Sequence, residues 1–162
     1  MSTTKSARDT KSVIERTYRA SLQDVWDLWT TKVGFESWWG PQGFRVEVHE
    51  LDARAGGSLR YDMIAATPEM IAAMQAMGQP SAHKTQARYT AIELCTRLVM
   101  TNVIDFLPGV ATYEADIAVE LIADGDRVRM VVTFDGMHND EFSKMQRDGF
   151  TSQLTKLDER FT

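Results

Sequence analysis

From Gly43 onward the apolar residues of this chain recur with a period of two, and this alternation restricts the fold more than any other feature. The segment FRVEVHELD, residues 44–52, alternates apolar and polar side chains, which predicts a half-buried strand. The later strands follow one another without a regular strand–helix alternation, so we expect an antiparallel sheet. They are predicted over residues 58–64, 85–94, 97–106, 113–122 and 127–134.

Helical patterns flank this run of strands on both sides. A first strand is predicted over residues 12–20, followed by a short helix capped by Ser21 and a second over residues 35–39. A long helix follows the N-cap candidate Asn139 and ends the chain. We therefore expect an α+β fold, in which a curved antiparallel sheet wraps around the long C-terminal helix. The apolar stripe of that helix comprises Phe142, Met145, Gly149, Phe150, Leu154, Leu157 and Phe161.

One helical segment, residues 67–78, interrupts the strands. Thr67 is placed to cap it, Pro68 takes the first helical position, and Gly78 ends it. Its apolar residues share roughly one face, which must cover either the mouth of a cavity or a second subunit of a homodimer. We predict one domain over residues 12–162 that carries this insert, preceded by a flexible tail of residues 1–11.

The composition excludes several classes of function. The 162-residue chain has a net charge of −5 and a pI near 5.2, which argues against binding nucleic acid or an anionic membrane. We find no apolar run long enough to span a bilayer and no secretory signal. Cys95 is the single cysteine, which fits a reducing cytoplasm. A small-molecule binder, an enzyme and a protein-interaction module remain possible.

All four tryptophans fall within residues 24–44, which makes this segment core, partner surface or pocket wall. Trp26 and Trp29 have helical spacing and are expected in the core. Trp38 and Trp39 are adjacent and cannot both point the same way. We therefore expect at least one of them, with Trp39 favoured, to reach a cavity mouth or solvent.

Four segments resemble a known superfamily: WWGPQGF, AGGSLRYDM, RLVMTNVIDF and RDGFTSQLTKL. Together with the element order, they make the chain similar to the START-like helix-grip proteins over residues 12–161. More narrowly, it resembles the bacterial single-domain relatives of the activator of the ninety-kilodalton heat-shock chaperone ATPase.

The resemblance implies a tunnel between the sheet and the terminal helix. Many members of the superfamily hold lipids, polyketides, flavonoids or hormones there, and some act as polyketide aromatases or cyclases. The chaperone-activating role belongs to a eukaryotic relative with an additional domain, so a chaperone partner is implied only as an alternative. Asn102 stands where relatives often carry tryptophan, and the insert at 67–78 lengthens the hairpin over one end of the tunnel.

The predicted ligand-binding residues occupy inward or rim positions of this arrangement. Asn102 is in phase with the apolar residues of its strand, so its amide needs a partner from protein, water or ligand. The methionines would supply an adaptable apolar lining. The full set is Trp39, Phe44, Tyr61, Met63, Tyr89, Met100, Asn102, Met130, Met145, Gly149 and Phe150.

Catalytic and metal-binding patterns are missing from the sequence. His49, His83 and His138 are scattered, Cys95 has no evident base, and no nucleophile elbow or phosphate loop occurs. We predict no cofactor, no metal and no catalytic residue, and hence a protein that binds a small apolar or amphipathic ligand. The alternatives are a co-chaperone-like interaction module with a filled core and an enzyme of the polyketide cyclase or aromatase type.

Overall fold

A computed structural model describes residues 11–105 and 109–161 of the chain. The predicted tail therefore lies outside the described residues except for Lys11, which begins the first strand, and so does Phe106 at the end of a predicted strand. In chain order the described elements are β1 (Lys11–Tyr18), α1 (Leu22–Thr30), α2 (Lys32–Glu36), β2 (Phe44–Leu51), β3 (Ser58–Ala65), α3 (Pro68–Ala76), β4 (Ala82–Glu93), β5 (Arg97–Ile104), β6 (Tyr113–Asp124), β7 (Arg127–Asp135) and α4 (Asp140–Arg160).

The strands form one antiparallel sheet in the order β1-β7-β6-β5-β4-β3-β2. From β2 to β7, each strand pairs with its neighbour in sequence, while β1 pairs with β7. The helices α1 and α2 therefore carry the chain from one edge of the sheet to the other. This arrangement confirms the predicted α+β helix-grip fold, with a curved sheet and a long C-terminal helix.

Side-chain caps explain where the helices begin. Ser21 accepts a hydrogen bond from the amide of Asp24, and Asn139 accepts one from Phe142, as the sequence predicts. Thr67 caps the inserted helix in the same way. Each cap satisfies an amide that has no partner inside its helix.

The second short helix begins earlier than predicted, at Lys32 rather than at residue 35. Thr31 caps it by accepting from the amide of Gly34, so this glycine lies inside the helix instead of before it. A Cβ atom on Gly34 would stand 2.0 Å from the carbonyl oxygen of Asp27. Gly34 is therefore required for the close packing of α2 on α1, and it does not mark a helix boundary.

The inserted helix α3 packs against the turn that precedes β2. Met74 is buried, and the side chain of Met70 lies against Gly43. Ile71 and Met77 are exposed, so only part of the predicted apolar face is covered within the described residues. None of the described helices is both long enough and apolar enough to cross a membrane.

Candidate functional site between the sheet and the terminal helix

The ring of Phe150 fixes the middle of α4 against the concave face of the sheet. Its centroid lies 5.6 Å from that of Phe134 on β7. It also lies 6.4, 6.3 and 6.0 Å from the rings of Trp29, Trp38 and Trp39. Aromatic rings at these separations attract one another beyond the effect of their buried area. The predicted site residue Phe150 is therefore a central packing contact between helix and sheet.

Both adjacent tryptophans are buried, so the prediction that one reaches a cavity mouth or solvent is wrong. Trp38 Nε1 donates a hydrogen bond to the carbonyl oxygen of Leu28 at 2.9 Å. Trp39 points elsewhere in the same core, where its ring stacks on Phe35 with centroids 4.6 Å apart. The two side chains do point in different directions, as expected. Both are nevertheless buried, because each packs against a different part of the core.

The hydroxyls of two predicted site residues are used within the core. Tyr61 accepts a hydrogen bond from Trp39 Nε1 at 3.1 Å, and Tyr89 donates one to the carbonyl oxygen of Trp29 at 2.7 Å. Burial raises the pKa of Tyr61 to about 12 and also raises the pKa of Tyr89. Both phenols are therefore neutral anchors of the scaffold near neutral pH.

One flank of α4 faces the turn between α2 and β2. Ser152 Oγ accepts from the amide of Gln42 at 3.0 Å, and Lys156 Nζ donates to the carbonyl oxygen of Gly40 at 2.8 Å. Partial burial lowers the pKa of Lys156. These contacts hold the second half of the helix to the turn.

Gly149 lies about one turn earlier on this flank, where the helix leaves space. A Cβ atom built on it would meet no heavy atom within 4 Å. The half-buried Phe44 and Met63 border the same turn, since both approach Gly40 within 3.5 Å of its would-be Cβ. We give the name helix groove to the surface of α4 around Gly149 together with the turn that Phe44 and Met63 border. Phe44 and Met63 meet at this turn, and neither lies within 4 Å of the would-be Cβ of Gly149.

Three buried polar atoms of α1 and α4 have no hydrogen-bond partner among the described residues. They are Nε1 of Trp29, Nε2 of Gln153 and Oε1 of Gln146. Gln146 and Gln153 are two turns apart on the face of α4 that carries Phe150. The sequence analysis missed both glutamines, although a polar residue in phase with an apolar stripe is the signal that could have found them.

The inward face of β5 carries a separate, weakly held amide. Asn102 is only 8% exposed, and its Nδ2 donates to the carbonyl oxygens of Met100 and Ala115 over 3.5 and 3.4 Å. These are long hydrogen bonds, so the amide keeps capacity for a better partner. Met100 and Met130 are fully buried on the same face of the sheet, where they form apolar lining.

The placement of Met145 on the inward stripe is wrong, because its side chain is 58% exposed. The buried residues of α4 recur at Ser143, Phe150, Gln153, Leu154 and Leu157. The inner face is therefore centred near Phe150 and Leu154, and Met145 falls outside its edge.

The inward polar groups are neutral amides, phenols and indoles, which suit hydrogen bonding to a ligand. Among residues 11–105 and 109–161, no group of three His, Cys, Asp or Glu side chains could hold a metal ion. His49 pairs with Asp62 at 3.0 Å, and His138 Nδ1 lies 3.1 Å from the hydroxyl of Tyr113. Neither histidine belongs to the polar set beside the helix groove.

A family model described as "Activator of Hsp90 ATPase homolog 1-like protein" matches residues 19–162. That match covers most of the chain, including all four helices and six of the seven strands. The chain belongs to this family. No curated protein matches the chain by sequence.

Solved structures share the fold of this chain at low sequence identity. A protein of Chromobacterium violaceum superimposes with a TM-score of 0.75 at 20% identity, covering 93% of this chain and 96% of that one. The AHSA1 protein of Silicibacter pomeroyi gives 0.72 at 18% identity, covering 93% and 96%. CalU16 of Micromonospora echinospora gives 0.62 at 15% identity, covering 94% and 76%. The likeness extends over nearly the whole chain and concerns its fold.

Proposed function

We propose that this protein binds a small apolar or amphipathic molecule in the helix groove, between the sheet and α4. The observation that carries the proposal is the set of unpartnered buried polar atoms on Trp29, Gln146 and Gln153. A buried donor or acceptor left unsatisfied costs about 1–3 kcal/mol, and native proteins hold few of them. A ligand with matching polar atoms would offset that cost.

The surroundings of these atoms suit the apolar part of such a ligand. The rings of Phe150 and Trp29 and the side chains of Met100 and Met130 line the interior near them. Methionine adapts its shape to irregular partners, and aromatic walls give large contact areas. Burial of ligand surface contributes about 25 cal/mol per Å² before the costs of association.

Gly149 supplies a way to test the location of the site. A larger side chain there would extend into the open space beside the inner face of α4, where the would-be Cβ meets nothing within 4 Å. Gly149→Leu should therefore occupy the groove without displacing a core side chain. Thr151→Leu is the matched control, because Thr151 is exposed on the same helix.

The experiment titrates the purified protein with fatty acids, flavonoids, aromatic polyketides and sterols, and follows tryptophan emission. We expect a saturable change with at least one class in the parent protein and in Thr151→Leu, and at least tenfold weaker binding in Gly149→Leu. A flat response across the panel from a folded protein would contradict the proposal. It would favour the co-chaperone-like interaction module with a filled core.

Further predictions concern the protein's partners and its location. We propose the cytoplasm as the place of action, where the free Cys95 would stay reduced. The homodimer, the chaperone partner and the cyclase-type activity stay predictions. The exposed Ile71 and Met77 of α3 are the residues to test first for a homodimer.

A further inference from the structure

The two edge strands of the sheet, β1 and β2, differ in how their free sides are covered. On β2, the amide of Val48 donates to Glu36 Oε2 at 2.8 Å, and the amide of Phe44 donates to the carbonyl oxygen of Pro41 at 3.0 Å. A bulge between Val48 and Glu50 also interrupts this strand. Side-chain cover and bulges of this kind keep an edge strand from pairing with another chain. The β2 edge is therefore closed.

The β1 edge, by contrast, is open. Its eight residues pair with β7 in unbroken register, so the strand carries no bulge. Among the described residues, no backbone amide of residues 12–18 donates a hydrogen bond outside this pairing. The carbonyl oxygen of Glu15 accepts from Arg16 Nη1 at 2.9 Å, which is an exposed side-chain contact that another strand can replace. An edge strand of this kind is a template for a further strand.

The middle of β1 carries an apolar residue that is exposed. Ile14 is paired with the fully buried Val132, so its neighbour Val13 points to the opposite, convex face of the sheet. The side chain of Val13 is 58% exposed there. Lys11 and Glu15 flank it on the same face of the strand. An apolar residue therefore lies between two opposite charges on the open edge.

This pattern is self-complementary, which favours a second copy of the chain as the partner. Antiparallel pairing joins residues whose backbone groups face the same edge, so a twofold axis passes where one residue faces its own copy. With the axis at Val13, each Lys11 faces the partner's Glu15. With the axis at Ile14, Val13 faces the partner's Glu15, and with the axis at Glu15 two like charges meet. Of these three registers, the first joins opposite charges on both sides of the axis.

We propose that β1 pairs antiparallel with β1 of a second copy, with Val13 facing the partner's Val13, so that the two sheets join into one. The charges of β7 extend this match. Within each chain Lys11 pairs with Asp135, and Glu15 pairs with Arg129 at 2.9 Å. Across the junction the charges alternate in sign from Asp135 through Lys11 to the partner's Glu15 and the partner's Arg129. The proposal is independent of ligand binding in the helix groove.

The test measures the molar mass in solution by sedimentation equilibrium at several protein concentrations. We expect the parent protein to dimerise. Val13→Lys and Val13→Glu each place two like charges on the twofold axis, so each should weaken the dimer at least about tenfold. Val13 is exposed in the single chain, so neither change removes a core contact. An equimolar mixture of the two variants should restore the dimer, because opposite charges then meet at the axis.

Two control variants place the same new charge on other exposed apolar residues. They are Val33→Lys on α2 and Met77→Lys next to α3, at residues that are 79% and 63% exposed. Both should dimerise like the parent protein. Dissociation by Met77→Lys but by neither change at Val13 would move the interface to α3 and overturn the proposal.

The remaining outcomes also decide the proposal. A parent protein that is monomeric at every concentration would overturn it. A dimer that survives Val13→Lys but not Val13→Glu would mean that residue 13 faces Glu15, which would refute the pairing of Val13 with its own copy. Failure of the mixture to dimerise would refute that pairing as well.

Discussion

The indole nitrogen of Trp39 donates a hydrogen bond to the hydroxyl oxygen of Tyr61 at 3.1 Å, with both side chains buried. This bond joins the turn after α2 to β3. The ring of Phe35 contacts both partners, with centroids 4.6 and 5.2 Å away. The helices that cross from one sheet edge to the other are therefore tied to the concave face by a polar contact inside an aromatic cluster.

The first prediction concerns this bond. Tyr61→Phe leaves the Trp39 indole nitrogen buried without its acceptor, so we expect a loss of about 1–3 kcal/mol in the free energy of unfolding. Urea unfolding near neutral pH measures it. In a Trp39→Phe background the same change at Tyr61 should cost clearly less, because the donor is already absent. Equal costs in the two backgrounds would show that the bond contributes nothing.

The second prediction concerns alkaline pH. Burial raises the pKa of Tyr61 to about 12, whereas an unfolded tyrosine titrates near pH 10. Between these values the unfolded state has lost the proton and the folded state keeps it, so stability falls as pH rises. One such group contributes a slope of up to about 1.4 kcal/mol per pH unit. Between pH 8 and 11.5, the free energy of unfolding should fall less steeply with pH in Tyr61→Phe than in the parent protein. Parallel curves would contradict the assignment.

The order of elements could be predicted because each depends on local patterns. The period-two segments became strands, and Ser21, Thr67 and Asn139 cap their helices as expected. The start of α2 could not be predicted in this way. Gly34 allows α2 to pack closely against Asp27 of α1, and the local sequence pattern does not reveal that contact.

The candidate site was less accessible to prediction, because it depends on how α4 rotates on the sheet. A rotation of α4 about its own axis by a fraction of a turn is enough to put Met145 into solvent and Gln153 into the interior. The apolar stripe alone favours the opposite, since methionine is apolar and glutamine is polar. The aromatic contacts of Phe150 fix the rotation, and those partners are distant in sequence.

The third prediction uses the open space at Gly149. An alanine Cβ there meets no atom within 4 Å, and alanine is the better helix former by about 1 kcal/mol. Gly149→Ala should therefore raise the free energy of unfolding by about 0.5–1 kcal/mol. Gly57→Ala is the contrasting variant, because its Cβ would stand 1.9 Å from the carbonyl oxygen of Asp52. We expect it to cost about 1–3 kcal/mol. A destabilised Gly149→Ala protein would mean that the groove is filled.

The last prediction concerns Phe150, whose ring joins α4 to β7 and to the tryptophans. Phe150→Ala removes a buried aromatic side chain, and we expect a loss of about 3–5 kcal/mol in the free energy of unfolding. Phe150→Leu keeps most of the volume and should cost about 1–2 kcal/mol.

The alanine substitution leaves an apolar cavity beside the unpartnered donors of Trp29 and Gln153. Small aromatic molecules can occupy cavities of this kind. Saturating indole should therefore raise the midpoint of thermal unfolding of Phe150→Ala by mass action, and should do so far less for Phe150→Leu. If the alanine variant is destabilised by less than about 1 kcal/mol, the Phe150 ring is not a central packing contact between α4 and the sheet. Phe150 would then not line a site between them.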